Sequence, residues 1–210
     1  MRISVLLAAV LVSGAASAQI VDERGDPLKN AYFALNVGKA DYSWRNPPPG
    51  LSKNLCSIAG LLDCRDDPVG WKLTAGYMIW RHVGVELAAY SMGDARIKFD
   101  AGGGTIVEQT IRVEGYGLSA VGAVPLGPVT LAARAGYAAS TATRNDDIES
   151  LGVSTRSAKS RAEPIFGAGV AFNVWRGLMV RLDWDRARAR TQLGEKFEAD
   201  LYSAGIGWRF

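Results

Sequence analysis

The 210-residue chain predicts an all-β protein, an eight-stranded antiparallel transmembrane up-and-down β-barrel, on three observations. The last residues, Tyr202 to Phe210, put Tyr, Ala, Ile, Trp and Phe on alternate positions, with Ser, Gly, Gly and Arg between them. Alternate residues of a strand face opposite sides, so one face suits lipid and the other is small or polar, as in the closing strand of a membrane barrel. Eight segments of about ten residues, the length a tilted strand needs to cross a bilayer, alternate in this way. Their connections are by turns short and long, the pattern of outer-membrane barrels with the short side in the periplasm.

The first segment, about 31–42, carries Ala31, Phe33, Leu35 and Val37 outward against Asn36 and Gly38. The second, about 70–80, sets Trp71, Leu73, Ala75, Tyr77 and Ile79 against Lys72, Thr74, Gly76 and Met78, and a turn at Arg81-His82 follows. In the third, Val83, Val85, Leu87 and Ala89 oppose Gly84, Glu86, Ala88 and Tyr90. The fourth is the least regular; Tyr116, Leu118, Ala120 and Val124 mark its outward side before the turn at Pro125-Leu126-Gly127-Pro128. The fifth places Val129, Leu131, Ala133, Ala135 and Tyr137 against Thr130, Arg134 and Gly136. The sixth places Pro164, Phe166, Ala168, Val170, Phe172 and Val174 against Gly167, Gly169 and Asn173. After Trp175-Arg176-Gly177, the seventh sets Leu178, Val180, Leu182 and Trp184 against Met179, Arg181, Asp183 and Asp185. The eighth is the closing strand.

The last two segments also match as a hairpin. Leu178, Val180, Leu182 and Trp184 fall opposite Trp208, Ile206, Ala204 and Tyr202, a continuous apolar face. The same register sets Arg186 opposite Asp200 and Arg188 opposite Glu198, favourable by about 0.2–1 kcal/mol per pair, and leaves Arg190 near Lys196. The long connections are 43–69, 100–104, 141–160 and 192–194, of which the polar 141–160 stretch reads as a mobile loop. Connection 43–69 is the largest exposed element, a place for ligand capture, and its Asp63, Asp66 and Asp67 read as solvated loop charges. Cys56 and Cys64, the only cysteines, are expected to form a disulfide closing a small loop in an oxidising compartment.

A basic start, the apolar run from Ile3 to Val12 and the small residues Ala16-Ser17-Ala18 predict a signal peptide over residues 1–18, cleaved before Gln19, leaving 19–210 as one barrel domain. No later stretch approaches the roughly 20 apolar residues of a membrane-spanning helix. The 48% hydrophobic and 21% charged residues are near the globular average and do not separate a soluble from a membrane barrel. A net charge of +3 gives no reason to expect a nucleic-acid partner, and the two cysteines with one distant histidine give no metal or other cofactor site.

Glu86, Arg134, Arg181 and Asp183 share the inward faces, three to five residues above the short turns. The interior of an eight-stranded barrel is just wide enough for side chains to fill, so these four should meet in a salt-bridge cluster. The alternative is a gate whose exchange of partners opens a narrow, porin-like path. Arg186, Arg188 and Arg190 lie outward beyond Trp184, where they could hold phosphates of outer-leaflet lipopolysaccharide as well as pair across the hairpin.

Several stretches resemble the OmpA-type transmembrane barrel. They are Thr74-Ala75-Gly76-Tyr77 through Val83-Gly84-Val85-Glu86-Leu87, Pro164-Ile165-Phe166-Gly167-Ala168-Gly169-Val170, Arg181-Leu182-Asp183-Trp184, and Gly205-Ile206-Gly207-Trp208-Arg209-Phe210. The resemblance implies an outer-membrane location in a Gram-negative cell and a polar, mostly filled interior. It also implies a signal for the barrel assembly machinery in Tyr202, Ile206, Trp208 and Phe210. Family members often continue into a peptidoglycan-binding domain, which is not carried over here. They also hold lumen charges where this chain has Val121 and Ala171, which implies a smaller network. Some such barrels are lipopolysaccharide-modifying enzymes with a Ser and a His near the outer leaflet, but His82, the only histidine, falls in a periplasmic turn, so no enzyme is expected. The expected protein is a monomer in outer-membrane lipid and lipopolysaccharide, with a structural or surface-interaction role and an extracellular ligand taken through its loops. The alternatives are the narrow channel and a soluble secreted barrel holding an apolar ligand, which the outward parity of the aromatics argues against.

Overall fold

A computed structural model describes residues 30–44, 56, 61–102, 104–148, 153–190 and 196–210. The expected signal peptide lies outside the described residues, as does most of the first long connection. The elements are β1 (Ala31–Trp44), β2 (Leu61–Arg65), β3 (Val69–Trp80), β4 (Val83–Asp100), β5 (Ile106–Leu126), β6 (Val129–Ile148), β7 (Val153–Trp175), β8 (Leu178–Arg190) and β9 (Lys196–Arg209). Eight of them form an antiparallel ring in the order β4-β3-β1-β9-β8-β7-β6-β5, and β5 pairs back to β4. β2 is the exception, lying beside β4 above the point where β3 ends. The hairpin register read from the sequence is the one present, from Leu178↔Trp208 to Arg190↔Lys196.

Short turns join β3 to β4, β5 to β6 and β7 to β8. In the last, Arg176 and Gly177 both have positive φ (35° and 95°), the two-residue geometry whose twist matches the strands it joins. Exposed aromatics form two belts, the interfacial anchors of a membrane barrel. Trp80, Trp175 and Phe210 mark the short-turn edge, while Trp71, Tyr116, Tyr137 and Tyr202 mark the other.

Several strands run past the upper belt. Of the stretch 141–160, expected as a mobile loop, residues 141–148 and 153–160 are instead a strand ladder: β6 and β7 pair without interruption from Val129↔Phe172 to Ile148↔Val153. Up there the faces exchange character. On β5 the outward residues change from Leu118 and Tyr116 to Glu114 and Arg112, while inward Ser119 gives way to Val113 and Ile111. On β8, outward Leu182 and Trp184 become Arg186 and Arg188, and inward Asp183 and Asp185 become Ala187 and Ala189. Parity is unchanged on these two strands, whereas a bulge between Ser91 and Asp94 on β4 moves the inward set from Tyr90 and Met92 to Ala95 and Ile97. The surroundings switch from lipid to water, and the apolar side follows the drier environment.

The upper interior is therefore an apolar core that includes Tyr42, Met92, Ile97, Ile111, Val113, Ile165, Phe197 and Leu201, with Trp44, Leu61 and Cys64 packed against it. The polar interior expected from the resemblance holds only below this core. Tyr42 spans the core: its hydroxyl donates to the Gly93 carbonyl (3.0 Å) and accepts from the Val113 amide (3.2 Å). Cys64, opposite Ile97 on β4, is disulfide-bonded to Cys56 with Cα atoms 5.5 Å apart. The chain before β3 also returns to the wall, where the Ala40 amide donates to Pro68 O (2.9 Å).

Candidate functional site

Six charged side chains from β3, β4, β6 and β8 converge below the apolar core, each at most 8% exposed. Arg134 is the hub. Its Nη1 donates to Glu86 Oε2 (3.1 Å) and its Nη2 to Asp183 Oδ1 (2.7 Å) and the Ala168 carbonyl (3.3 Å). Its Nε lies 3.0 Å from Asp185 Oδ1 without the alignment of a hydrogen bond. Lys72 Nζ bridges Asp183 (3.0 Å) and Asp185, and Arg181 Nη2 lies 3.4 Å from Glu86 Oε1 and 3.2 Å from Asp183 Oδ2. Neutral groups complete the shell: Tyr32 donates to Glu86 (2.5 Å) and Asn36 to Asp183 (3.1 Å). Three cations face three anions, so the buried group carries no net charge, the condition under which ions out of water are tolerated.

The backbone makes room for this cluster. A Cβ on Gly169 would collide with the Asp183 carboxylate and sit 3.1 Å from Arg134 Nη2; one on Gly167 would lie 2.5 Å from Asp185 Oδ1 and 2.6 Å from Arg134 Nε. β7 thus leaves the space into which Arg134 extends from β6. On the short-turn side a cavity of about 30 Å³ remains, lined among others by Tyr32, Val121, Ala171, Met179 and Arg209. That is room for about one water molecule.

The four residues picked from the sequence, Glu86, Arg134, Arg181 and Asp183, all lie in the cluster. Lys72, Asp185, Tyr32 and Asn36 were missed as members. Their inward parity was visible; their height was not, because a barrel staggers its strands and equal counts from the turns do not give equal heights. The ladder from Lys72 to Asn36, Gly205 and Arg181 follows that stagger.

Outside, Arg186 makes two 2.7 Å bonds to Asp200, which also accepts from Trp184 Nε1 (3.1 Å), and Arg188 Nε donates to Glu198 (3.1 Å). The side chain of Arg190 lies outside the described residues. Tyr202, Ile206 and Phe210 are exposed on the outer face of β9, with Trp208 half-exposed on the same face. His82 Nδ1 lies 3.0 Å from the Ala123 carbonyl at the short-turn end. No metal-binding group of three or more His, Cys, Asp or Glu side chains occurs among the described residues. Upper β7 carries Arg156, Lys159 and Arg161, exposed or half-exposed; no ion pair involves them among the described residues.

Comparison with known proteins places this geometry. A family profile described as outer membrane protein beta-barrel domain matches residues 4–210. Two similar solved folds are Ail, the attachment invasion locus protein of Yersinia pestis, and Neisserial surface protein A. Ail is 14% identical, covering 85% of this chain and 99% of its own, with a TM-score of 0.51. The Neisserial protein is 15% identical, covering 86% and 97%, with a TM-score of 0.52. Ail has also been solved in complex with the heparin analogue sucrose octasulfate, a structure 15% identical with a TM-score of 0.50 that covers 85% of this chain and 99% of its own. No curated protein matches the sequence. With its strands closed into a ring between two aromatic belts and its sequence matched over nearly its whole length, the chain belongs to the outer membrane protein β-barrel family and resides in the cell outer membrane.

Proposed function

We propose that this protein is a closed, non-catalytic barrel that acts at the cell surface through the hairpins above the outer belt. One observation carries the reading: the apolar core spanned by Tyr42 lies across the lumen above the charge cluster. An ion path would have to cross both that layer and a set of mutually paired charges. Single-channel recording of the refolded protein in planar bilayers tests this: no stepwise conductance is expected, and a stable conductance altered by Glu86→Gln or Arg181→Gln would replace it with a narrow channel. The non-catalytic part rests on His82, committed to Ala123 at the end away from the hairpins.

For the surface role, upper β7 presents Lys159 and Arg161 on one face and Arg156 on the other, and the Lys159–Arg161 pair is suited to a polyanionic ligand. Sucrose octasulfate, the molecule seen with Ail, is a direct probe. Binding that weakens with salt and is lost on converting Lys159 and Arg161 to Gln, but kept in Arg156→Gln, supports that pair as the contact. Arg186 and Arg188 serve first as cross-strand partners of Asp200 and Glu198, with lipopolysaccharide phosphates as a further contact for the part-exposed Arg186. Tyr202, Ile206, Trp208 and Phe210 are the segment offered to the barrel assembly machinery, and Cys56–Cys64 fixes the first loop to the wall.

A further inference from the structure

A tryptophan–arginine pair occurs four times; Trp44-Arg45 lies at the long-loop end of β1, and the other three, Trp80-Arg81, Trp175-Arg176 and Trp208-Arg209, end strands at the short-turn edge. Trp80 and Trp175 are largely exposed and belong to the aromatic belt, at the depth where amphipathic rings sit between acyl chains and headgroups. The next residue along a strand lies about 3.3 Å further out, at the level of the phosphates.

Among its described residues, this edge carries basic side chains without acidic ones; Asp22, Glu23 and Asp26, which precede β1, lie outside them. Residues 30–31, 79–83, 124–129, 174–178 and 208–210 contain three arginines and a histidine but no aspartate or glutamate. At the other end, four cations have acidic partners, in Arg186–Asp200, Arg188–Glu198, Arg112–Asp94 and Lys39–Asp67, while Arg156, Lys159 and Arg161 have none among the described residues. Arg81 and Arg176 are exposed, whereas Arg209 is half-buried beside the lumen cavity. The Arg209 amide donates to the Gly177 carbonyl (2.8 Å), which joins the β7–β8 turn to the end of β9, and Arg176 stacks over Trp175 with 5.6 Å to the ring centroid. Arg209 Nε is buried with no partner among the described residues.

We infer that this rim binds the phosphodiester headgroups of the inner, periplasmic leaflet and prefers anionic phospholipid to zwitterionic. Guanidinium groups hold phosphate oxygens by paired, charge-assisted hydrogen bonds, and the neighbouring tryptophan fixes the depth at which they reach them. The rim would then set both the vertical position of the barrel and the composition of the lipid around it.

Native mass spectrometry of the full folded chain in detergent, titrated with phosphatidylglycerol or phosphatidylethanolamine, tests the inference. Phosphatidylglycerol is expected to bind about fivefold tighter or more, the effect of roughly one basic residue at an anionic surface. Arg81→Gln with Arg176→Gln should remove that preference while the heat-dependent shift of the folded barrel on a gel persists. Arg81→Gln alone should reduce it, and Arg112→Gln, at the opposite end, should leave it intact. Equal binding of the two lipids by the unaltered chain overturns the inference, as does a preference that survives in the double variant. Loss of the preference in Arg112→Gln equally overturns it, because the anionic lipid would then be held at the wrong rim.

Discussion

Below the upper aromatic belt the barrel is polar inside and apolar outside; above it, the same strands are apolar inside and charged outside. On β5 and β8 nothing in the pleat changes between the two zones, while on β4 a bulge between Ser91 and Asp94 shifts the inward set by one residue. What changes is the medium on the outer face. Lipid offers outward side chains no hydrophobic gain over the lumen, so the lower interior is organised by paired charges around Arg134. Water does offer that gain, about 25 cal/mol per Å² of apolar surface removed from it, so the upper interior fills with Ile, Val, Phe and Leu. One sheet thus follows membrane and soluble rules in series, and the change of rule marks the outer leaflet.

Substitutions in the two zones separate these sources of stability. The largest effect is expected from Glu86→Ala, which strands Arg134 and Arg181 and should cost about 3–5 kcal/mol in urea unfolding from lipid vesicles. A loss below about 1 kcal/mol would mean that the lower lumen is wet. Ile111→Ala, in the upper core, should cost about 2–4 kcal/mol, and amide exchange should rise in the β4–β5 hairpin while the lower strands stay protected. Exchange that rises equally in both zones would refute their independence. Gly169→Ala drives a methyl into the Asp183 carboxylate and should cost about 1–3 kcal/mol, with Gly122→Ala, which meets open space, as the comparison for side-chain crowding.

The smallest effect concerns Asp94. The hydrogen bond from Arg112, above the belt, holds the Asp94 carboxyl below the usual aspartate range. A folded pKa below the unfolded one gives stability that is present above pH ~4 and lost as pH falls through the folded value. Both groups are partly exposed, so the contribution should stay under about 1 kcal/mol. Asp94→Asn should flatten this part of the pH profile in acid unfolding curves; an unchanged profile would assign the dependence to other carboxylates.

The membrane zone was legible because its alternation is written with lipid-facing aromatics and aliphatics, which fixed all eight strands and the last hairpin's register. The zone above it was misread where outward positions turn polar: Arg144-Asn145-Asp146-Asp147 looks like a loop until its partner across the ladder is known. β2 was invisible for a related reason, as five residues inside a long connection acquire a strand partner only when β4 has risen past β3. In the site, parity placed Lys72 and Asp185 inward, but the meeting of Asp185 with both Lys72 and Arg134 depends on strand stagger, which a single strand does not encode. The apolar layer across the mouth was likewise hidden, because Tyr42, Ile111 and Phe197 come from widely separated strands.

The seam between β1 and β9 has a kinetic consequence. Its thirteen pairings, from Tyr32↔Arg209 to Trp44↔Phe197, join residues 153–177 positions apart, whereas most of the other ladders are hairpins. Contacts so distant in sequence carry the largest loop-closure entropy and form slowly. Until they form, β1 and β9 each present an open edge with unpaired amides and carbonyls, which hydrocarbon does not tolerate. Closure of the seam is therefore the step that commits the chain to the membrane, and the rate of that single event sets how long the nascent barrel stays exposed to aggregation.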